Sequence, residues 1–136
     1  MIKSILPYAL LGISSIANAE MVAKTVGYEI DGAEYEGLLV YDQSIKTPRP
    51  GLLMVPNWLG VTENAAKKAA LVAGDKYVVF VADMYGKSIR PTNPEEAGKA
   101  AGAVRADRAM MRKRAQSAVE VLKAEGAGVA LDASRL

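Results

Sequence analysis

Hydrophobic and polar positions alternate over Lys24 to Ile30 and again over Ala33 to Tyr41, both rich in Val, Tyr, Ile and Leu. Such alternation predicts two half-buried strands. Asp31-Gly32 lies between them, a dipeptide suited to the two positive-φ positions of a type I′ turn, so the pair reads as a hairpin. Charges at Glu29, Glu34 and Glu36 suit the edge of a sheet. The segment from Gln43 to Pro50 carries Pro48 and Pro50 and predicts a stiff surface connection.

Beyond Pro50 the pattern changes. Leu52 to Val55 and Tyr77 to Ala82 are continuously apolar, as in strands covered on both faces. Between them Thr62 is placed to cap a helix and Glu63 to favour its dipole. Ala65, Ala66, Ala69, Val72 and Ala73 then recur at helical spacing up to a closing Gly74. Strand, helix, strand predicts a right-handed parallel βαβ unit. A second helical stretch opens with Asn93 as cap and Pro94 in the first turn, and runs to about Glu125 with a break expected near Gly102. Val104, Met111, Ala115, Ala118 and Leu122 share one face of it, and Arg105, Arg108 and Arg112 another. Gly126-Ala-Gly128 ends it, and Val129 to Leu136 reads as a connector. The fold class is α/β: an antiparallel hairpin, then a parallel βαβ unit and a long helix, in three layers.

The N-terminus carries a different pattern. Lys3 precedes an apolar run from Ile5 to Ala17, and Ala17-Asn18-Ala19 fits the small-x-small cleavage rule. The run is shorter than the ~20 residues of a spanning helix and has no polar face. Residues 1–19 therefore read as a signal peptide and residues 20–136 as the mature domain, exported to the periplasm or secreted, with no stable membrane anchor once the signal is removed.

Composition narrows the chemistry. The 136 residues are 51% apolar and 24% charged, ordinary for one globular domain. A formal charge of +2 without interleaved aromatic and basic residues gives no case for nucleic acid. With no Cys and no His, and with scattered carboxylates, no metal or cofactor is expected, and no thiol nucleophile or imidazole base can come from these residues.

Two strand-and-loop segments carry a family resemblance. They are Gly51-Leu-Leu-Met-Val-Pro-Asn-Trp-Leu-Gly60 and Gly74-Asp-Lys-Tyr-Val-Val-Phe-Val-Ala-Asp-Met-Tyr-Gly86. With the opening hairpin and the tail Asp132-Ala-Ser-Arg-Leu136, they resemble, in order and spacing, the dienelactone hydrolase family of α/β-hydrolases. The resemblance implies a carboxylic ester or lactone hydrolase. It also implies that the tail leads into a nucleophile elbow beyond Leu136, so that the chain is a fragment lacking nucleophile, acid and His, and inactive by itself. It places the first oxyanion donor on the backbone N–H of Trp58, and the family's acidic loop residue on Asn57, which cannot serve as an acid. Leu59 and Tyr85 are implied as substrate contacts.

Each of these residues also has a plainer reading. Trp58 can cover the sheet edge, Asn57 can fix its loop, Tyr85 can pack, and Asp83 suits an Asx-type turn. The basic cluster Arg105, Arg108, Arg112, Lys113 and Arg114 reads first as a solvated face. The second functional reading is a non-catalytic exported α/β binding protein. A flavodoxin-like nucleotide binder lacks a glycine-rich phosphate loop after its first parallel strand. The implied partner is a small ester or lactone, and without a following strand Leu52 to Val55 would be an exposed sheet edge open to self-association.

Overall fold

The computed structural model describes residues 19–136; the expected signal peptide, but for Ala19, lies outside them. Strands β1 (Met21–Ile30), β2 (Ala33–Asp42), β3 (Gly51–Met54) and β4 (Val78–Val81) form one sheet in the order β1-β2-β4-β3. Helix α1 (Glu63–Ala73) connects β3 to β4, which pair in parallel, and α2 (Pro94–Ala106) and α3 (Arg108–Gly126) follow.

The hairpin forms because Asp31 and Gly32 both take positive φ, 52° and 81°, and it pairs over the full length of both strands with Tyr28 opposite Tyr35. Thr62 caps α1 by accepting from the Ala65 N–H at 3.1 Å, and Asn93 caps α2 by accepting from the Glu96 N–H at 2.9 Å. Gly74 closes α1 at φ 47°.

Every residue of β4 is buried, so its alternate side chains serve two cores. Val78 and Phe80 pack with Val26, Leu39, Ala118 and Leu122 under α3. Val79 and Val81 pack with Val40 and the Ala65, Ala69 and Ala73 stripe of α1. Small alanines bring α1 close to the sheet, and the result is three layers.

Two details differ from the sequence reading. The long helix breaks at Asp107 and not at Gly102: the Asp107 carboxylate accepts from the Met110 N–H at 3.0 Å and starts α3 anew, whereas Gly102 stays within α2. A side chain able to cap outcompetes the small helical penalty of a glycine. The C-terminal residues do more than connect. Leu131 forms a parallel bridge with Arg49, and the Gly51 N–H donates to the Arg135 carbonyl at 2.9 Å. They therefore cover the start of the β3 edge. The buried Arg49 guanidinium, which no sequence motif marks, ties this corner together by donating to the carbonyls of Asp42 (3.1 Å) and Val129 (2.9 Å).

Further along, the Val78 N–H donates to the Pro50 carbonyl and the Ala82 N–H to the Met54 carbonyl. Even-numbered residues of β3 thus face β4, and Leu53 turns its backbone N–H and C=O away from the sheet.

Candidate active site

The loops that leave the carboxyl ends of β3 and β4 meet beneath α2 and the first turn of α3. They enclose a cleft of about 250 Å³ lined by Val55, Trp58, Met84, Tyr85, Val104 and Met111, among others. This is where open α/β sheets place ligands. Its walls are mainly apolar, and Arg105 is the one charged residue on them. Arg105 has no ion-pair partner among the described residues.

The β3 loop is held group by group. The Asn57 carbonyl accepts from the Gly60 N–H at 2.9 Å, closing a turn that Gly60 completes at φ 79°. The Asn57 side-chain oxygen accepts from the Leu59 N–H at 3.0 Å. The Tyr85 hydroxyl, arriving from the β4 loop, donates to the Trp58 carbonyl at 2.8 Å. After these bonds the Trp58 N–H has no protein acceptor among the described residues, as is also true of the neighbouring Asn57 and Val61 N–H groups. Trp58 itself lines the apolar cleft.

The Trp58 ring is 48% exposed and stands 4.0 Å from where a side chain on Gly98 would begin, so it rests on α2 and also faces solvent. Asn57 spends its side chain on its own loop. Leu59 is half-buried and lies off the residues lining the cleft. Tyr85 lines the cleft, and burial raises the pKa of its hydroxyl against the opposing pull of Arg105. The hydroxyl therefore stays protonated, and able to donate, across the neutral range.

Asp83 carries the β4 loop. Its Oδ1 accepts from the N–H groups of Tyr85 and Gly86, each at 3.0 Å, and its Oδ2 accepts from the Glu36 N–H at 3.0 Å and from Arg90 at 3.2 Å. With 1% of its surface exposed and all these partners, it fixes the loop that presents Tyr85. Nearby, the Tyr28 hydroxyl has its pKa pushed up to about 12, chiefly by burial.

The basic cluster divides. Lys113 pairs with Asp31 at 2.6 Å. Arg114 donates to the Met84 carbonyl at 2.8 Å and lies 5.4 Å from the Tyr35 ring centre, bracing the cleft from behind. Arg108 and Arg112 are exposed. Among the described residues no group of His, Cys, Asp or Glu could hold a metal ion, and no helix is long and apolar enough to cross a membrane.

A three-layer sheet with a cleft at the carboxyl ends of its parallel strands defines the amino-terminal part of an α/β-hydrolase fold. The chain belongs to the dienelactone hydrolase family, whose profile matches residues 36–130. Among solved structures it is similar to a dienelactone hydrolase-like promiscuous phosphotriesterase from metagenomic libraries, at 27% identity and a TM-score of 0.75. It is also similar to a protein designated m3DLH, at 26% identity and the same TM-score. In both comparisons 85% of this chain is covered and 47% of the other, so the chain spans about half the length of these structures. None of the curated proteins matches it.

Proposed function

We propose that this chain supplies the oxyanion-donor half of an exported carboxylic ester or lactone hydrolase. The observation that carries the reading is the Trp58 amide, which has no protein acceptor among the described residues and belongs to a turn fixed by the Leu59, Gly60 and Tyr85 bonds on the wall of an apolar cleft. When a nucleophile attacks an ester carbonyl, negative charge gathers on its oxygen. A fixed donor in a site that excludes water stabilises that charge without having to reorganise. The apolar walls suit the body of a small ester or lactone. Having no Cys and no His, these residues do not contribute a thiol nucleophile or an imidazole base, and the attacking group and its base are assigned to the remainder of the fold. Because one structural relative is a phosphotriesterase, the same donor is also assigned to a phosphoryl oxygen as a secondary substrate class. Export rests on the Lys3, Ile5–Ala17 and Ala19 pattern. The reading includes neither a nucleic-acid partner nor a stable membrane anchor. It does include self-association through the β3 edge.

The test joins this chain to the carboxyl-terminal part of the similar phosphotriesterase and follows hydrolysis of an activated aryl ester. Trp58→Pro deletes the N–H and is expected to lower kcat by about 10²–10³, the effect of losing one such donor. Trp58→Ala keeps the N–H and is expected to retain most of the rate. An active chimera indifferent to Trp58→Pro refutes the donor role. The 136-residue chain alone is expected to show no turnover, and saturable hydrolysis by it refutes the division of roles.

A further inference from the structure

We infer that Tyr85 and Asn57 are positioning residues that together clamp the Trp58–Leu59 peptide and so hold the Trp58 N–H in its donating orientation. The inference rests on the proposed donor role of Trp58 and assigns the machinery behind it.

Two peptide planes decide where the Trp58 N–H points. The Asn57–Trp58 plane contains the donor itself, and its carbonyl end is tied by the Gly60 N–H at 2.9 Å. The Trp58–Leu59 plane is gripped at both ends: its carbonyl accepts from the Tyr85 hydroxyl at 2.8 Å, and its N–H donates to the Asn57 side chain at 3.0 Å. A peptide plane bonded at one end can rock about the neighbouring ψ and φ angles. One bonded at both ends cannot, and it passes its rigidity to the plane before it. Tyr85 has a second hold on the loop, because its ring lies 3.2 Å from where a Cβ on Gly60 would sit. A side chain there would meet that ring, and φ 79° already suits glycine. The clamp is also anchored from below, since the Tyr85 N–H is itself bound to the buried Asp83 carboxylate at 3.0 Å. Asp83, Tyr85, Trp58 and Asn57 thus form one chain of contacts from the sheet to the donor.

The division of labour between the side chains differs from that implied by family resemblance. Asn57 stands where an acidic residue is implied, and here its oxygen accepts a backbone amide of its own loop. Asp at the same place would accept that amide equally well, whereas Ala could not. The positioning function therefore needs a side-chain acceptor at residue 57 and a hydroxyl at residue 85, and it needs no change of protonation at either.

The experiment uses the chain as it is, labelled with nitrogen-15, with phenylphosphonate as an oxyanion probe. Parent, Tyr85→Phe, Asn57→Ala and Asn57→Asp are compared. Two quantities are read at the Trp58 amide: its order parameter without probe and its shift on titration. Tyr85→Phe and Asn57→Ala are expected to lower the order parameter and to weaken the probe's effect about five-fold each, the worth of one neutral hydrogen bond. Asn57→Asp is expected to keep the parent's order parameter. If the probe binds the parent and both truncated variants alike through the Trp58 amide, with unchanged order, the clamp is refuted while the donor reading stands. If the probe leaves the parent's Trp58 amide unmoved, the donor reading fails. The clamp is then decided by the order parameters alone: loss in Tyr85→Phe and Asn57→Ala upholds it, and equal rigidity in all four proteins overturns it.

Discussion

Replacing Asp83 by Ala removes the carboxylate on which the hairpin and the β4 loop converge. The side chain is 1% exposed and accepts from the amides of Glu36, Tyr85 and Gly86, all at 3.0 Å, and from Arg90 at 3.2 Å. A hydrogen bond to a charged group contributes about 1.5–3 kcal/mol, but the four share one acceptor and do not add. Removing one partner of a buried ion pair costs about 3–5 kcal/mol when the other charge stays buried. Arg90 keeps 32% of its side chain in water and also donates to the Gly86 and Glu36 carbonyls, so part of its charge is resolvated. That places Asp83→Ala near the lower end, at about 3 kcal/mol, against the ~5–15 kcal/mol that holds a domain folded. Asp83→Asn retains one acceptor oxygen but turns an N–H₂ toward a backbone amide or Arg90, and should fall between Ala and the parent. Arg90→Ala leaves all three amide bonds in place but strips a 1% exposed carboxylate of its counter-charge, and should cost a comparable amount, about 3 kcal/mol. Urea unfolding of the chain from Glu20, followed by far-UV dichroism at neutral pH, measures all three. A loss under about 1 kcal/mol for Asp83→Ala would refute this account of the loop.

Gly37→Ala should destabilise by about 1–3 kcal/mol or more, because the added methyl would lie 2.5 Å from both the Phe80 ring and the Val81 carbonyl; thermal melting checks it. Val55→Lys should reduce association in sedimentation at fixed stability, since Val55 is 56% exposed beyond the free end of β3, whereas Leu53 packs into the core and would confound the test. The Asp42 pKa is lowered, first by the Ser44 hydroxyl and then by the Glu20 N–H, so its share of stability is present above its unfolded value and is lost as pH falls through the folded one; Asp42→Asn should flatten stability against pH below about 4. Cleavage after Ala19 would turn the Glu20 N–H, 3.0 Å from Asp42 Oδ1, into an ammonium; a chain starting at Glu20 should be more stable than one keeping Ala19, by up to about 1 kcal/mol near neutrality and by less once the amine loses its proton at alkaline pH. Equal stability of the two chains with Asp42 intact, or a difference that survives Asp42→Asn, would contradict that pairing.

Local signals determined most of the elements. Asp31-Gly32 specifies its turn because few dipeptides tolerate positive φ twice, and Thr62, Asn93 and Pro94 mark helix starts because an unpaired first-turn amide needs a nearby oxygen. The continuous apolar runs announced strands covered on both faces, and β4 is buried throughout. The family was legible for the same reason: it is written in short strand-and-loop segments whose order survives in the sequence. What the chain could not show by itself was which distant groups meet. Asp107 won the helix break over Gly102 by a side-chain bond to Met110, and the Arg49 corner gathers carbonyls from β2 and from the short turn that follows α3. At the cleft, Asn57 and Trp58 could be placed after β3 by pattern, and Tyr85 after β4. Only the parallel pairing of those strands brings the Tyr85 hydroxyl to the Trp58 carbonyl and so fixes the turn in which the Trp58 amide stays without a protein acceptor. Periodicity and capping report on contacts within a few residues, whereas a preorganised donor is defined by which neighbours are already taken, and that is settled by tertiary packing.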